Sequence, residues 1–193
     1  MDSQPDSHVE LTALRGVFLI ERPVYPDDRG FFHEIERRAV DVEAKVGREV
    51  PHAQWSHSRS SQGVLRGIHV APWNKCVYVA RGLAQAVIVD ARLQSPTFGQ
   101  HTALTLGEAR RAMLFVPAGC GNAFLALSEW VDYIYSVDQA WRPEVEFGIA
   151  WNDPDLAIDW LLPEPRLSPK DLTNPTMREL FPERFATADP PKC

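Results

Sequence analysis

Four short segments of this chain carry side chains able to move protons or to hold a polar ligand. The first is Gly63-Val64-Leu65-Arg66-Gly67-Ile68-His69, where an imidazole ends a short apolar run beside an arginine and two glycines. Such a strand can project His69 into a cavity, and an imidazole titrating near neutrality is suited to acid–base work. Taken alone, a single histidine is more often a satisfied core or surface group. The second segment is Asp27-Asp28-Arg29-Gly30-Phe31-Phe32-His33-Glu34. Gly30 permits a tight turn, and the alternation after it puts Phe32 and Glu34 on one side of a strand. An aromatic face beside a carboxylate and Arg29 suits a heteroaromatic ring, by stacking and edge hydrogen bonds. The competing reading is a turn that feeds an edge strand and packs its phenylalanine. The third is Leu167-Ser168-Pro169-Lys170-Asp171, and the fourth is the pair Tyr133 and Tyr135. Strand alternation points both phenols to one face, either as core packing or with one of them as a proton donor.

Other chemistries lack their residues. A barrel-type metal site needs clustered histidines and carboxylates, whereas His69 is followed by Val70 and Ala71, and His8, His33, His52, His57 and His101 show no ligand spacing. No catalytic metal is expected, and His52 and His57 read as solvated in a polar, Ser-rich stretch. The chain has neither a Gly-x-x-x-x-Gly-Lys nor a Gly-x-Gly-x-x-Gly phosphate loop, and no serine nucleophile elbow. Cofactor-free proton transfer is what remains. A net charge of −6 argues against broad nucleic-acid binding but leaves room for a local basic pocket. The three cysteines, Cys76, Cys120 and Cys193, have neither metal nor disulfide spacing and read as inert thiols. No apolar run reaches the ~18 residues of a membrane span, and Met1–Glu10 is too polar for a signal peptide. A reducing cytoplasm is the expected location.

The elements that must position these groups are short. Sixteen prolines and eleven glycines cut the 193 residues into pieces too small for many helices. Strands are predicted at Gly16–Ile20, Cys76–Ala80, Leu83–Val89, His101–Leu106, Ala112–Val116, Asn122–Leu127 and Val131–Val137. Turn signals separate them at Arg81-Gly82, Ser95-Pro96, Leu106-Gly107 and Pro117-Ala118-Gly119. This spacing indicates an all-β sandwich or barrel. One internal helix is predicted over Arg38–Val46, a turn at Glu108–Arg111, and a terminal helix over Asp171–Leu180. One domain is expected across residues 1–193, with a core from about residue 15 to about residue 175 and a C-terminal tail packed on it.

Seven strings in order resemble the dTDP-4-dehydrorhamnose 3,5-epimerase family. They are Asp28-Arg29-Gly30-Phe31-Phe32-His33-Glu34, Gly63-Val64-Leu65-Arg66-Gly67-Ile68-His69 and Val89-Asp90-Ala91-Arg92, then Ser95-Pro96-Thr97-Phe98-Gly99, Phe124-Leu125-Ala126-Leu127-Ser128-Glu129, Trp151-Asn152-Asp153-Pro154 and Leu167-Ser168-Pro169-Lys170-Asp171. The resemblance implies a cupin, or jelly-roll, β-barrel with a few peripheral helices, found as a homodimer and using no cofactor. It implies inversion at C3, C5 or both of a nucleotide-linked 4-keto-6-deoxy-sugar through an enolate.

On that resemblance His69 is the base, Asp171 orients it, Tyr135 returns the proton from the opposite face, and Lys75 stabilises the enolate oxygen. Arg66 and Lys170 hold the diphosphate. Arg29 and Glu34 meet the nucleobase, often across the dimer interface, with Phe32 and Trp141 as the aromatics around it; Gln54 matches a pocket residue. Three positions depart from the family pattern. Gly121-Asn122-Ala123-Phe124 stands for Ala-His-Gly-Phe, so a neutral amide, Asn122, replaces a titratable imidazole. Ser56 replaces an asparagine, and the loop from His69 to Lys75 is shorter. These features resemble relatives acting on GDP-linked heptoses, so the nucleotide is dTDP by the family pattern, with GDP and CDP as alternatives. A 3,4-ketoisomerase and a non-catalytic sugar-nucleotide-binding jelly roll are the competing functions.

Overall fold

The computed structural model describes residues 7–185, so Cys193 and the first six residues of the polar N-terminal stretch lie outside it. The chain runs β1 (His8–Leu11), β2 (Phe18–Glu21), β3 (Val24–Asp27) and β4 (Gly30–His33). A π-helical turn, Ala39–Glu43, then leads into α1 (Ala44–Val46). There follow β5 (Gln54–Ser61), β6 (Leu65–Val70), β7 (Lys75–Arg81), β8 (Leu83–Asp90), β9 (His101–Gly107), β10 (Ala112–Val116), β11 (Cys120–Ala126) and β12 (Trp130–Val137). The two-residue β13 (Phe147–Gly148) and three helices, α2 (Pro169–Leu172), α3 (Met177–Leu180) and α4 (Pro182–Phe185), complete the described chain.

The strands form two antiparallel sheets, ordered β1-β2-β10-β7-β12-β5 and β13-β6-β11-β8-β9, with β3 and β4 as a separate hairpin. This is the all-β, two-sheet arrangement that the spacing of strands and turns predicts, and it accords with the jelly roll that the resemblance implies. The inner faces meet in one apolar cluster, where Leu19, Val77, Val79 and Leu114 of the first sheet face Ala84, Ala86, Ile88 and Phe124 of the second. Both outer faces are covered as well. Phe18, Ile20, Cys76, Met113 and Phe115 pack outward under Val42 and Val50. Ile68, Val70, Val87 and Val89 pack outward under Ile149, Leu156 and Met177. Strands buried on two faces need apolar residues at every position, which is why β8, β10 and β11 read as continuous apolar runs.

Three predicted elements are corrected. The terminal helix breaks into α2 and α3, because Pro175 cannot continue a helix and Thr176 starts a new one through a capping box with Glu179. The internal helix begins at Ala39 as a π turn and stops at Gly47, which adopts φ +78°. The polar stretch around His52 and His57 is mostly an edge strand, β5. His57 there is half-exposed and bound to Asp132, but His52 is held between Glu36 and Ser136 rather than in solvent. Cys76 and Cys120 are free, buried thiols whose ionisation burial pushes up, that of Cys120 to about 12.

Gly67 sets the local geometry of β6. It adopts φ +125°, and a Cβ there would lie 2.6 Å from the Ala123 Cβ on the neighbouring strand. Gly67→Ala is therefore expected to lower stability by at least ~2 kcal/mol, from backbone strain and overpacking. A urea midpoint equal to wild type would contradict this.

Candidate active site

The pairing of β6 with β11 places the central histidine. His69 lies opposite Asn122 and Arg66 opposite Phe124, so three steps on β6 match two on β11. This slip lets Arg66 and His69, three residues apart, line the same hollow. Ile68 and Val70 pack outward, which leaves the imidazole facing inward by alternation. From β11 the same cavity receives Asn122 and Phe124. The opposite sheet contributes Lys75 from β7 and Tyr133 and Tyr135 from β12, and Trp141 and Glu146 close the rim. The volume is about 220 Å³, below the ~300–1,000 Å³ usual for a drug-sized ligand, so it admits one ring of a larger molecule. An adjoining cavity of about 360 Å³, lined by Arg66, His69, Arg166, Ser168, Lys170 and Asp171, shares Arg66 and His69 with the first.

Asp171 comes from α2, where Pro169 occupies the first turn and the Ser168 hydroxyl caps the helix by accepting from the Asp171 N–H at 3.1 Å. Its Oδ1 lies 2.7 Å from His69 Nε2. With a carboxylate on Nε2, that nitrogen carries the hydrogen and Nδ1 is left as the accepting nitrogen. Burial alone would raise the Asp171 ionisation, but the His69 hydrogen bond and charge, Ser168 and the Gly67 backbone outweigh it, so the carboxyl is held below its ordinary value.

Lys75 shows the opposite balance. Burial takes its ammonium down to about 8, against a smaller opposing effect of the Glu146 charge. Its Nζ lies 5.0 Å from the centre of the Tyr135 ring and 3.4 Å from Asn122 Oδ1. The cavity thus joins an accepting imidazole nitrogen, a phenol from the opposite sheet and a buried cation. That set can take a proton, return one, and stabilise a negative oxygen. Among the described residues no group of three or more His, Cys, Asp or Glu side chains could hold a metal ion, and no helix is long and apolar enough to cross a membrane.

Of the residues singled out from the sequence, His69, Lys75, Arg66, Asn122, Tyr135 and Trp141 meet at this cavity, and Asp171 and Lys170 at the adjoining one. Gln54 stands behind Trp141, accepting from its backbone N–H at 2.9 Å and donating to Ser56 at 3.1 Å. Arg29, Phe32 and Glu34 are not brought to either cavity. They belong to the β3–β4 hairpin and the turn after it, where Arg29 pairs with Asp27, and Glu34 pairs with Arg22 and Arg37. Phe32 also falls outside the core, at 63% exposure. Glu146 was not legible in advance: it sits in an irregular segment without strand or helix periodicity, 3.6 Å from Lys170.

Comparison with known proteins accords with this geometry. Residues 11–179 match the family model described as dTDP-4-dehydrorhamnose 3,5-epimerase. The chain is 42% identical over 163 residues to a dTDP-4-dehydrorhamnose 3,5-epimerase of Pseudomonas aeruginosa, covering 82% of this chain and 90% of that one. It superposes with TM-score 0.86 and 36% identity on a 3,5-epimerase of Legionella pneumophila in complex with dTDP-4-keto-L-rhamnose, covering 92% and 96% of the two chains. It superposes with TM-score 0.89 and 29% identity on a 4-keto-6-deoxy sugar epimerase of Streptomyces spheroides, covering 95% and 94%. The chain belongs to the dTDP-4-dehydrorhamnose 3,5-epimerase family.

Proposed function

We propose that this protein epimerises a nucleotide-diphospho-4-keto-6-deoxy-sugar at a carbon beside the ketone, in deoxysugar biosynthesis. The observation that carries this reading is the cavity shared by His69 of one sheet and by Tyr135 and Lys75 of the other, with Asp171 of α2 bound to His69 from the adjoining cavity. A ketone acidifies its neighbouring C–H bonds because the carbanion delocalises into an enolate. His69 Nδ1 takes the proton on one face, and Asp171 holds the imidazole and stabilises its charged form. The Tyr135 hydroxyl gives a proton to the other face, which inverts the carbon. The Lys75 ammonium meets the oxygen as negative charge develops, an interaction worth about 3 kcal/mol in comparable oxyanion sites.

Arg66 and Lys170 hold the diphosphate by charge-assisted hydrogen bonds, and Trp141 flanks the nucleotide. The expected nucleotide is dTDP, as in the Legionella complex, with GDP and CDP to be compared. The β3–β4 hairpin exposes Tyr25, Phe31 and Phe32, and in a homodimer Arg29, Phe32 and Glu34 of a second copy would meet the base. The two free, buried thiols accord with a cytoplasmic location.

Solvent deuterium incorporation into dTDP-, GDP- and CDP-linked 4-keto-6-deoxy-sugars tests this reading. Exchange at C3 or C5 with inversion is expected; a migrated ketone, or tight binding without exchange, would contradict it. His69→Ala is expected to abolish exchange, and Tyr135→Phe to retain part of it while losing inversion. Intact activity in both variants would overturn the assignment of base and acid.

Lys75→Met should trade activity for stability. A lysine whose folded pKa lies near 8, below the ordinary 10.5, disfavours the fold wherever it is charged. That penalty is complete below about pH 8 and fades as pH rises through the ordinary lysine range. The variant is expected to lose epimerisation yet to gain on the order of 2 kcal/mol at pH 7, after allowance for partial solvent access. The gain should shrink toward pH 10.5. A lower melting temperature at pH 7 would contradict this.

A further inference from the structure

Tyr133 shares a face of β12 with Tyr135 but sits deeper, at 2% exposure, stacked on Phe124 with ring centroids 4.0 Å apart. Burial pushes its hydroxyl well above the ordinary phenol range, so it stays neutral and is poorly placed to trade protons. What it meets is the Asn122 side chain. Asn122 Nδ2 donates to the Tyr133 oxygen at 3.0 Å, and the phenol hydrogen can return to Oδ1 at 3.4 Å. The same Oδ1 accepts from Lys75 Nζ at 3.4 Å, and Nδ2 has a second acceptor in the Ala123 carbonyl, also at 3.4 Å.

An amide has one accepting and one donating end. Turned over, the Asn122 amide would set an N–H group against the Lys75 ammonium, donor against donor. Of the two groups beside Nδ2, the Ala123 carbonyl at 3.4 Å can only accept and so sets which end of the amide faces the lysine, while the closer Tyr133 hydroxyl at 3.0 Å, able to accept or to donate, holds the amide in place. We propose that Tyr133 is a positioning residue: its hydroxyl pins the Asn122 amide, whose orientation the Ala123 carbonyl selects, so that the carbonyl end meets Lys75 and aims the ammonium into the cavity. The inference rests on the reading of Lys75 as the group that stabilises the enolate oxygen.

Lys75 needs such support, because burial works against its charge. The ionisable groups that share its cavity are Arg66 and His69 from β6, Tyr133 and Tyr135 from β12, and Glu146 from the rim. Glu146 favours the ammonium but is also drawn to Lys170 at 3.6 Å. A fixed neutral acceptor favours the charged form without placing an anion beside a developing enolate.

The test is a double-mutant cycle on solvent deuterium exchange into a dTDP-linked 4-keto-6-deoxyglucose. Tyr133→Phe keeps the stack on Phe124 and removes only the hydroxyl. It is expected to lower kcat about tenfold, to leave KM within about twofold, and to move the alkaline limb of the rate profile to lower pH than in wild type. In the Asn122→Ala background, which has no amide to position, the same substitution should cost less than about twofold. Equal losses in the two backgrounds, or an unmoved alkaline limb, would overturn the proposal while leaving the proposed function intact. Retained exchange in Lys75→Met would overturn the role given to Lys75 and the proposal with it.

Discussion

The site exists because polar side chains stand between two sheets whose facing surfaces are otherwise apolar, and each must find its partner inside the fold. An unpaired polar group in such a place costs ~1–3 kcal/mol, and a charge costs more. The structure meets this demand locally. His69 is held by Asp171, Asn122 by Tyr133 and Lys75, and Lys75 by Asn122 and the Tyr135 ring. The groups able to move protons are thus oriented by the hydrogen bonds that make their burial tolerable.

One strand couples this arrangement to stability. The outward residues of β6, Ile68 and Val70, anchor the C-terminal segment through Met177, Leu180 and Phe181, while the inward His69 receives Asp171 from that same segment, 102 residues later in the chain. Packing on one face of the strand therefore fixes the dyad on the other. The hairpin β3–β4 follows a different logic. Arg111 lies over Phe31 at 4.2 Å and His33 binds Tyr78 at 3.1 Å, so the hairpin is fastened to the sheet while Tyr25 and Phe32 remain exposed. An aromatic surface held rigidly outward is suited to a partner, which in the proposed homodimer is the second copy.

Much of this was legible in the residues. Apolar runs between glycine and proline breaks located β7 to β12 to within about two residues, most plainly β8, β10 and β11, which are buried on two faces and carry an unbroken signal. β5 was hidden, since its alternation of Ser56, His57, Ser58 and Arg59 is polar on both sides and reads as a solvated stretch. The break in the C-terminal helix follows from Pro175, whose effect outweighed the periodicity around it. His69, Tyr135, Lys75 and Asp171 could be named from their motifs, but that they converge depends on strand register and on the slip between β6 and β11, which no local pattern encodes. For the same reason Glu146 stayed invisible and Tyr133 ambiguous: each gains its meaning from a neighbour far away in sequence.

The most direct measurement is a crystal structure of the protein with a dTDP-linked 4-keto-6-deoxy-sugar, or a reduced and unreactive analogue, in the cavity. The account predicts that the sugar ring lies between the His69 imidazole and the Tyr135 hydroxyl, with the oxygen on C4 within hydrogen-bonding distance of Lys75 Nζ. A ring bound elsewhere, or one with both groups on the same face, would contradict it.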